Sequence, residues 1–291
     1  MAVTFRKLHP HVGAEVSPID LRLVHDHAML EQLRAGMDAH GVLVFRNQPF
    51  TDAEQLAFAQ RFDGTLHAKL GVAALAANRF GNEAIGDISN VDNDGAILKV
   101  DDRKRMYSLG NRLWHTDASF QDPAGRYSTL SARVIPEVNA DTEFADMRAA
   151  YDTLDDARKR TLEGLRVHHT ITHSREILGF DFSQEEKDRL KGAIHPITRV
   201  NPRSGRKSLY LAAHATRILD WPVADGRLFL MELTEHATQR EFVYRHVWEN
   251  GDFVIWDNLA TMHRATAFDD ANHHRELRRV TTIDVPLQAH V

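Results

Sequence analysis

The 291-residue chain has no cysteine, which removes disulfides, thiolate nucleophiles and cysteine-held zinc or iron–sulfur sites from consideration. It has no apolar run approaching the 18 residues that mark a membrane-spanning helix. The opening segment MAVTFRKLHPHVGAEV lacks the apolar core of a secretory signal, so the expectation is a soluble, cytoplasmic protein with no membrane partner. An excess of positive charge is also missing: 36 Lys and Arg stand against 41 Asp and Glu, a net charge of −5. No cationic field is there to collect nucleic acid, and no nucleic-acid partner is expected. Internal repeats, low-complexity tracts and Gly/Pro/Ser-rich linkers are absent, so the expected organisation is one domain over 1–291 with long loop and helix insertions. What remains, 43% hydrophobic and 26% charged residues, is the composition of an ordinary globular protein.

Periodicity sketches the elements. Met29, Leu33 and Met37 recur at helical spacing within 28–40, and the apolar run Val42-Leu43-Val44-Phe45 follows as a strand. Thr51-Asp52-Ala53-Glu54 is a capping-box pattern that opens a helix running to about Phe62. Residues 63–112 read as long loops, which often carry or cover a site. Strands are expected at 127–135, 142–147, 207–213, 251–257 and 276–285, with helices at 146–165, 183–191 and 222–238, where Pro222 suits the first helical position. Asn201-Pro202-Arg203-Ser204-Gly205 reads as a hairpin turn. Many short strands with helices between them predict a mainly β jelly-roll or barrel core with helical insertions, not a doubly wound parallel sheet.

Gly-x-Ser-x-Gly, phosphate-loop and His-Glu-x-x-His patterns do not occur, which weakens hydrolase, nucleotide-dependent and zincin readings. The strongest local signal is Trp114-His115-Thr116-Asp117. In extended backbone, residues two apart face the same way, about 6–7 Å apart at Cα, so His115 and Asp117 can aim at one metal ion. A third ligand must come from a distant segment, and His263, just after Trp256-Asp257-Asn258, is the leading candidate. Two histidines and a carboxylate on one face of a metal are the donor set of non-haem Fe(II) and oxygen chemistry. His-x-Asp by itself is a common pairing, and paired groups are often only structural.

A second signal lies near the C-terminus. As a strand, 274–283 puts Arg275, Leu277, Arg279, Thr281 and Ile283 on one face. Unpaired buried charge is unfavourable by several kcal/mol, so arginines among apolar residues call for anions. About 13 Å separates the two along a strand, which suits two separate anions better than one. Solvated arginines, or salt bridges to Glu276 and nearby acids, are the equal alternative. Other residues read more plainly. His168, His169 and His173 are expected to be exposed in a helix-to-strand connection, Asp257 and Asn258 to close a turn, and Trp114 and Trp256 to pack and brace.

Longer motifs go further. GVLVFRNQP (41–49), GDISNV (86–91), LWHTDASF (113–120), RYSTLSARV (126–134), DTEFADMRAAYDTL (141–154), HATQREFVYRH (236–246), WDN (256–258) and HRELRR (274–279) run over nearly the whole chain. With these the chain resembles the Fe(II)/2-oxoglutarate-dependent dioxygenases of the taurine dioxygenase superfamily, and looks closest to the 2,4-dichlorophenoxyacetate dioxygenase branch. The resemblance implies a double-stranded β-helix (jelly roll), with Fe(II), 2-oxoglutarate as cosubstrate and O2. It implies His115, Asp117 and His263 as iron ligands, Thr142 and Arg275 on the far carboxylate of 2-oxoglutarate, and Arg279 on the substrate's anionic group. Asn111, Lys69 and His214 fall where related enzymes line the substrate side. The implied reaction hydroxylates the carbon beside the ether oxygen of an aryloxyacetate-type acid, releasing a phenol and glyoxylate with succinate and CO2. The implied partner is a small anionic substrate, and the implied assembly a homo-oligomer. An alkylsulfonate or taurine dioxygenase, or a jelly-roll ligand-binding protein without turnover, are the alternatives. Three features depart from the pattern: the spacing from His263 to Arg275 is one residue longer than in close relatives, His274 stands where Arg is expected, and Asn139-Ala140 replaces Gly-Gly.

Overall fold

A computed structural model describes residues 3–67 and 79–285. A seven-stranded sheet forms one wall, in the order Thr4–Lys7, Ala14–Ser17, Val42–Phe45, Phe253–Asp257, Gly125–Val134, Glu276–Ile283 and Gly86–Ser89. All neighbours are antiparallel except Ala14–Ser17 with Val42–Phe45. A three-stranded antiparallel sheet, Val243–His246, Thr142–Asp146 and Thr261–Ala265, faces it. Side-chain alternation explains the layering. All five residues of Phe253–Asp257 are buried, but in two directions. Val254 and Trp256 point between the sheets with Val42, Val44, Leu130 and Phe144. Phe253 and Ile255 point outward, onto Leu33, Met37, Phe58 and Phe62 of the helices His27–His40 and Asp52–Asp63. A sheet covered on both faces carries continuous apolar runs, and the result is a jelly roll with helical insertions.

Local chemistry starts and stops these helices where the sequence places them. Asp26 caps the first by accepting from the Met29 N–H, and Thr51 with Glu54 forms the capping box of the second. The span 146–165 is two helices, Met147–Asp152 and Asp156–Leu162, because Asp155 accepts from the Arg158 N–H and starts a new one. Pro222 is the N-cap of Val223–Ala237, one position earlier than expected. The strand expected over 207–213 is only Lys207–Leu209, since it pairs just with Thr198–Val200 across the 201–205 hairpin. The reading of His168, His169 and His173 as exposed is corrected. His168 and His169 lie on the strand Arg166–His169, His173 is half-buried, and His169 is wholly buried beside Ser119, His195 and Tyr210. Among the described residues, no helix is long and apolar enough to cross a membrane.

Candidate active site

Backbone pairing brings the two distant histidines together. His115 and His263 form an isolated antiparallel bridge, His115 N to His263 O at 3.0 Å and His263 N to His115 O at 2.8 Å. His263 is the middle residue of Thr261–Ala265, so the bridge fixes its height opposite the His-x-Asp segment. His115, Asp117 and His263 are all buried, and their ligand atoms lie within 4.8 Å of one another, the one such group among the described residues.

The His115 tautomer suits a cation. His115 Nδ1 lies 2.8 Å from the Leu113 carbonyl. A carbonyl can only accept, so Nδ1 carries the proton and Nε2 keeps its lone pair. That Nε2 faces Asp117 Oδ1 at 3.9 Å, and His263 Nε2 faces Asp117 Oδ2 at 3.8 Å. Burial pushes His115 down to about 4 and His263 well below the usual range, so both rings are neutral near pH 7. Burial alone would raise Asp117, but Arg279 foremost among its neighbours holds it down at about 2. His263 is neutral as well, with no hydrogen-bond partner on Nδ1, and the bare His115 nitrogen beside the Asp117 carboxylate is a pairing of lone pairs that a cation among the three side chains would relieve. The donor set fits a divalent metal with open positions.

Neighbouring side chains hold this carboxylate. Ser128 Oγ donates to Asp117 Oδ2 at 2.8 Å, and the Asp117 N–H donates to Asn258 Oδ1 at 3.1 Å. Asn258 Nδ2 in turn donates to Ser128 Oγ at 3.0 Å. Asn258 therefore does more than close its turn: it ties the strand end to the Asp117 backbone. His263 leans on Trp256 and Phe144, with ring centroids 4.7 and 6.0 Å away. The packing role expected of Trp256 is what the structure shows.

Two cavities flank the triad. The smaller is lined by Thr142, Arg275, His115, His263, Trp256 and Arg279 among others. Arg275 is buried there, with Nε donating to the Ala140 carbonyl at 3.0 Å. Burial pushes it down to about 10, so it stays cationic at neutral pH. Asn90 brackets its backbone, accepting from Arg275 N at 2.8 Å while its amide donates to the carbonyls of Asp270 and His273. Trp248 Nε1 donates to Thr142 Oγ1 at 3.0 Å, leaving the threonine hydrogen free to donate into the cavity. Asn139-Ala140 in place of Gly-Gly does not disturb this cradle, because the Ala140 carbonyl is the group used.

The larger cavity is lined by His115 and Asp117, by Arg279, Asn111 and His214, and by the apolar Tyr107, Phe120, Ile171 and Leu190. Arg279 Nη1 donates to Asp117 Oδ1 at 2.5 Å with its side chain 25% exposed. Asn111 reaches both cavities and a third one beside Arg275. His214 is buried, its ring centroid 5.9 Å from His115 and 5.1 Å from Phe120. Lys69 lies outside the described residues. The structure thus gathers His115, Asp117, His263, Thr142, Arg275, Arg279, Asn111 and His214 around one centre. Sequence reasoning gave no site role to Asn90, Trp248 or Ser128. Asn90 lies within the GDISNV motif and Ser128 within RYSTLSARV, but no local pattern marked their contacts.

A donor triad between two cation-lined cavities is one side of the comparison with known proteins. The other is a match to the family model of the taurine catabolism dioxygenase TauD, TfdA family over residues 4–281. The chain belongs to this family. Among TauD/TfdA relatives, it is 45% identical over 285 residues to the alpha-ketoglutarate-dependent 2,4-dichlorophenoxyacetate dioxygenase of Cupriavidus pinatubonensis, covering 98% of this chain and 99% of the relative. It is 43% identical over 284 residues to the enzyme of the same name from a Burkholderia species, covering 97% and 95%. Among solved structures, AAD-2 in complex with Mn(II) and N-oxalylglycine superposes with a TM-score of 0.89 at 40% identity, covering 98% of each chain. That likeness agrees with the jelly-roll fold of the described residues.

Proposed function

We propose that this chain is a single-domain, cytoplasmic, homo-oligomeric Fe(II)- and 2-oxoglutarate-dependent dioxygenase that hydroxylates aryloxyacetate-type acids beside the ether oxygen. The observation that carries the reading is the convergence of His115, Asp117 and His263 between two adjoining arginine-lined cavities. In the TauD/TfdA family, with near-full-length identity to 2,4-dichlorophenoxyacetate dioxygenases, that arrangement belongs to 2-oxoglutarate-dependent dioxygenase chemistry.

His115 Nε2, His263 Nε2 and one Asp117 oxygen would hold the metal on one face. With 2-oxoglutarate and O2 the bound metal supplies the oxidising power, yielding succinate, CO2 and one hydroxyl placed on the substrate. The protein's part is placement. Arg275, fixed by Ala140 and Asn90, and the Thr142 hydroxyl, aimed by Trp248, grip the far carboxylate of 2-oxoglutarate by charge-assisted hydrogen bonds. Arg279 at the border of the larger cavity takes the substrate carboxylate, while Tyr107, Phe120, Ile171 and Leu190 cover the aryl ring and keep water out. Asn111 and His214 stand on the wall between ring and metal ligands. A carboxylate gripped at one end and a ring held at the other leave the intervening carbon facing the ligands. The hydroxylated product is a hemiacetal, which breaks its carbon–ether bond to give a phenol and glyoxylate.

Anaerobic reconstitution with Fe(II) and 2-oxoglutarate, then oxygen uptake across aryloxyalkanoic acids and alkylsulfonates, tests this. Phenol and glyoxylate should form in step with succinate from aryloxyacetates. Uptake with sulfonates in preference, or none with any acid, overturns the substrate reading.

A further inference from the structure

The larger cavity contains, besides the part-exposed Arg279, a buried guanidinium that the proposed reaction does not use. Arg175 lies on the helix Ile171–Glu176 and is only 4% exposed. No carboxylate among the described residues lies within salt-bridge distance of it, and residues 68–78 contain neither Asp nor Glu. Burial pulls it below the ordinary arginine range. Its setting is built for it. The guanidinium lies 4.8 Å from the Tyr107 ring centroid, and a Cβ at Gly110 would sit 2.5 Å from its Cζ and Nε, so only glycine admits it. Nε has no hydrogen-bond partner. Nη2 donates to Asn111 Oδ1 at 3.0 Å and Nη1 to Ser174 Oγ at 2.9 Å.

These two bonds set the polarity of the cavity wall. Because Asn111 Oδ1 accepts from Arg175, its amide hydrogens are the face left for a ligand. Ser174 has one hydrogen, and it goes to the Ile171 carbonyl at 2.9 Å. The serine oxygen therefore accepts from Arg175 and from His214 Nδ1, 2.9 Å away. His214 is left with the proton on Nδ1 and a bare Nε2.

We propose that Arg175 is a positioning residue for the substrate: it adds a positive charge with no carboxylate partner to the larger cavity and locks the Asn111 amide and the His214 ring, so that the cavity selects an anion and holds it in one orientation against the metal ligands. The inference rests on the reading of that cavity as the substrate site. Energetics supports it. A buried charge without a counterion costs stability. Charge placed at such a cost beside a cavity is the pattern of a stability–function trade-off.

The test is Arg175→Met, with Arg175→Lys and Gly110→Ala beside it. The Fe(II)-loaded enzyme is assayed for its substrate and cosubstrate KM, with 2,4-dichlorophenoxyacetate as the substrate, for phenol formed per succinate, and for Tm. Binding of the acid and of its neutral amide is measured by calorimetry without oxygen. In Arg175→Met, the substrate KM should rise about tenfold or more, phenol per succinate should fall, 2-oxoglutarate KM should stay within about twofold, and Tm should hold or rise. Arg175→Lys should recover the preference for acid over amide but not the phenol-per-succinate ratio, since an ammonium cannot hold Asn111 and Ser174 together. Gly110→Ala should follow Arg175→Met in substrate KM by displacing the guanidinium. A drop in Tm with unchanged substrate KM and product ratio would make Arg175 structural and end the proposal; so would 2-oxoglutarate and substrate KM rising together. If the wild-type enzyme cleaves no aryloxyalkanoate, the function falls and Arg175 is judged by calorimetry. The wild type must then prefer the acid to the amide and Arg175→Met must lose that preference, or the proposal falls too.

Discussion

Arg275 and Arg279 sit four residues apart, one just before and one within the strand Glu276–Ile283, yet the fold treats them differently. Arg275 is enclosed, its Nε spent on the Ala140 carbonyl and its backbone bracketed by Asn90. Arg279 keeps a quarter of its side chain exposed and rests on Asp117. A group fixed on all sides recognises a ligand that never changes. A group on a cavity border can turn toward ligands that differ in length. The contrast matches an invariant cosubstrate on one side and a variable acid on the other, and spacing along a strand could not reveal it.

The most severe way to break this comparison is to remove what both cavities share. His115→Ala should reduce metal-dependent succinate formation to background, and chelation should do the same to the wild type; retained turnover would take His115 out of the metal site. Next come the arginines themselves. A charge-assisted hydrogen bond is worth about 1.5–3 kcal/mol, so Arg279→Ala should raise the substrate KM roughly tenfold to a hundredfold with 2-oxoglutarate KM nearly unchanged, and Arg275→Ala should do the reverse. If both variants lose the same ligand, the cavities are not separate sites. Trp248→Phe sharpens the smaller cavity alone. It removes a neutral hydrogen bond to Thr142, worth about 0.5–1.5 kcal/mol, and should raise 2-oxoglutarate KM about threefold to tenfold while substrate KM holds.

The smallest effect separates the clamps from the scaffold. Arg275, at about 10, does not titrate near neutrality, so acid sensitivity must come from elsewhere. His169 is buried neutral and pushed down to about 3, first by burial and then by His195 and His168. Unfolded, it titrates near 6.5. Between about 6.5 and 3 the unfolded chain therefore binds more protons than the folded one, and stability falls as pH falls through that window. In His169→Gln the slope of Tm against pH below 6.5 should be shallower than in the wild type. An identical slope would assign the acid loss to other groups.

Local pattern made part of this molecule legible. The Thr51–Glu54 capping box, the apolar strand ending at Asp257 and the same-face spacing of His115 and Asp117 each depend on neighbours a few residues away, and each is in place. His263 was reachable because it follows an apolar strand and completes a known donor set. His169, read as exposed, is buried, because burial is set by Tyr210 and His195 packing across from other strands and not by its own polarity. Asn258 looked like a turn residue and is one, but its bonds to Asp117 and Ser128 span 141 and 130 residues. Arg175 gave no signal, since its partner Asn111 is 64 residues away and Gly110 shows its purpose only when a guanidinium lies against it.

Composition, periodicity and short motifs were sufficient for the class of fold, the starts of the helices His27–His40 and Asp52–Asp63, and the His-x-Asp pair as candidate metal donors, because those follow from backbone period and from the chemistry of single residue types. Which arginine is enclosed and which stays part-exposed against Asp117, which way His115, His214 and Asn111 point their hydrogens, and that a third guanidinium stands in the larger cavity were decided by packing. Hydrogen-bond direction and desolvation depend on which atoms lie within a few ångströms, and that proximity exists only once distant strands have closed on one another.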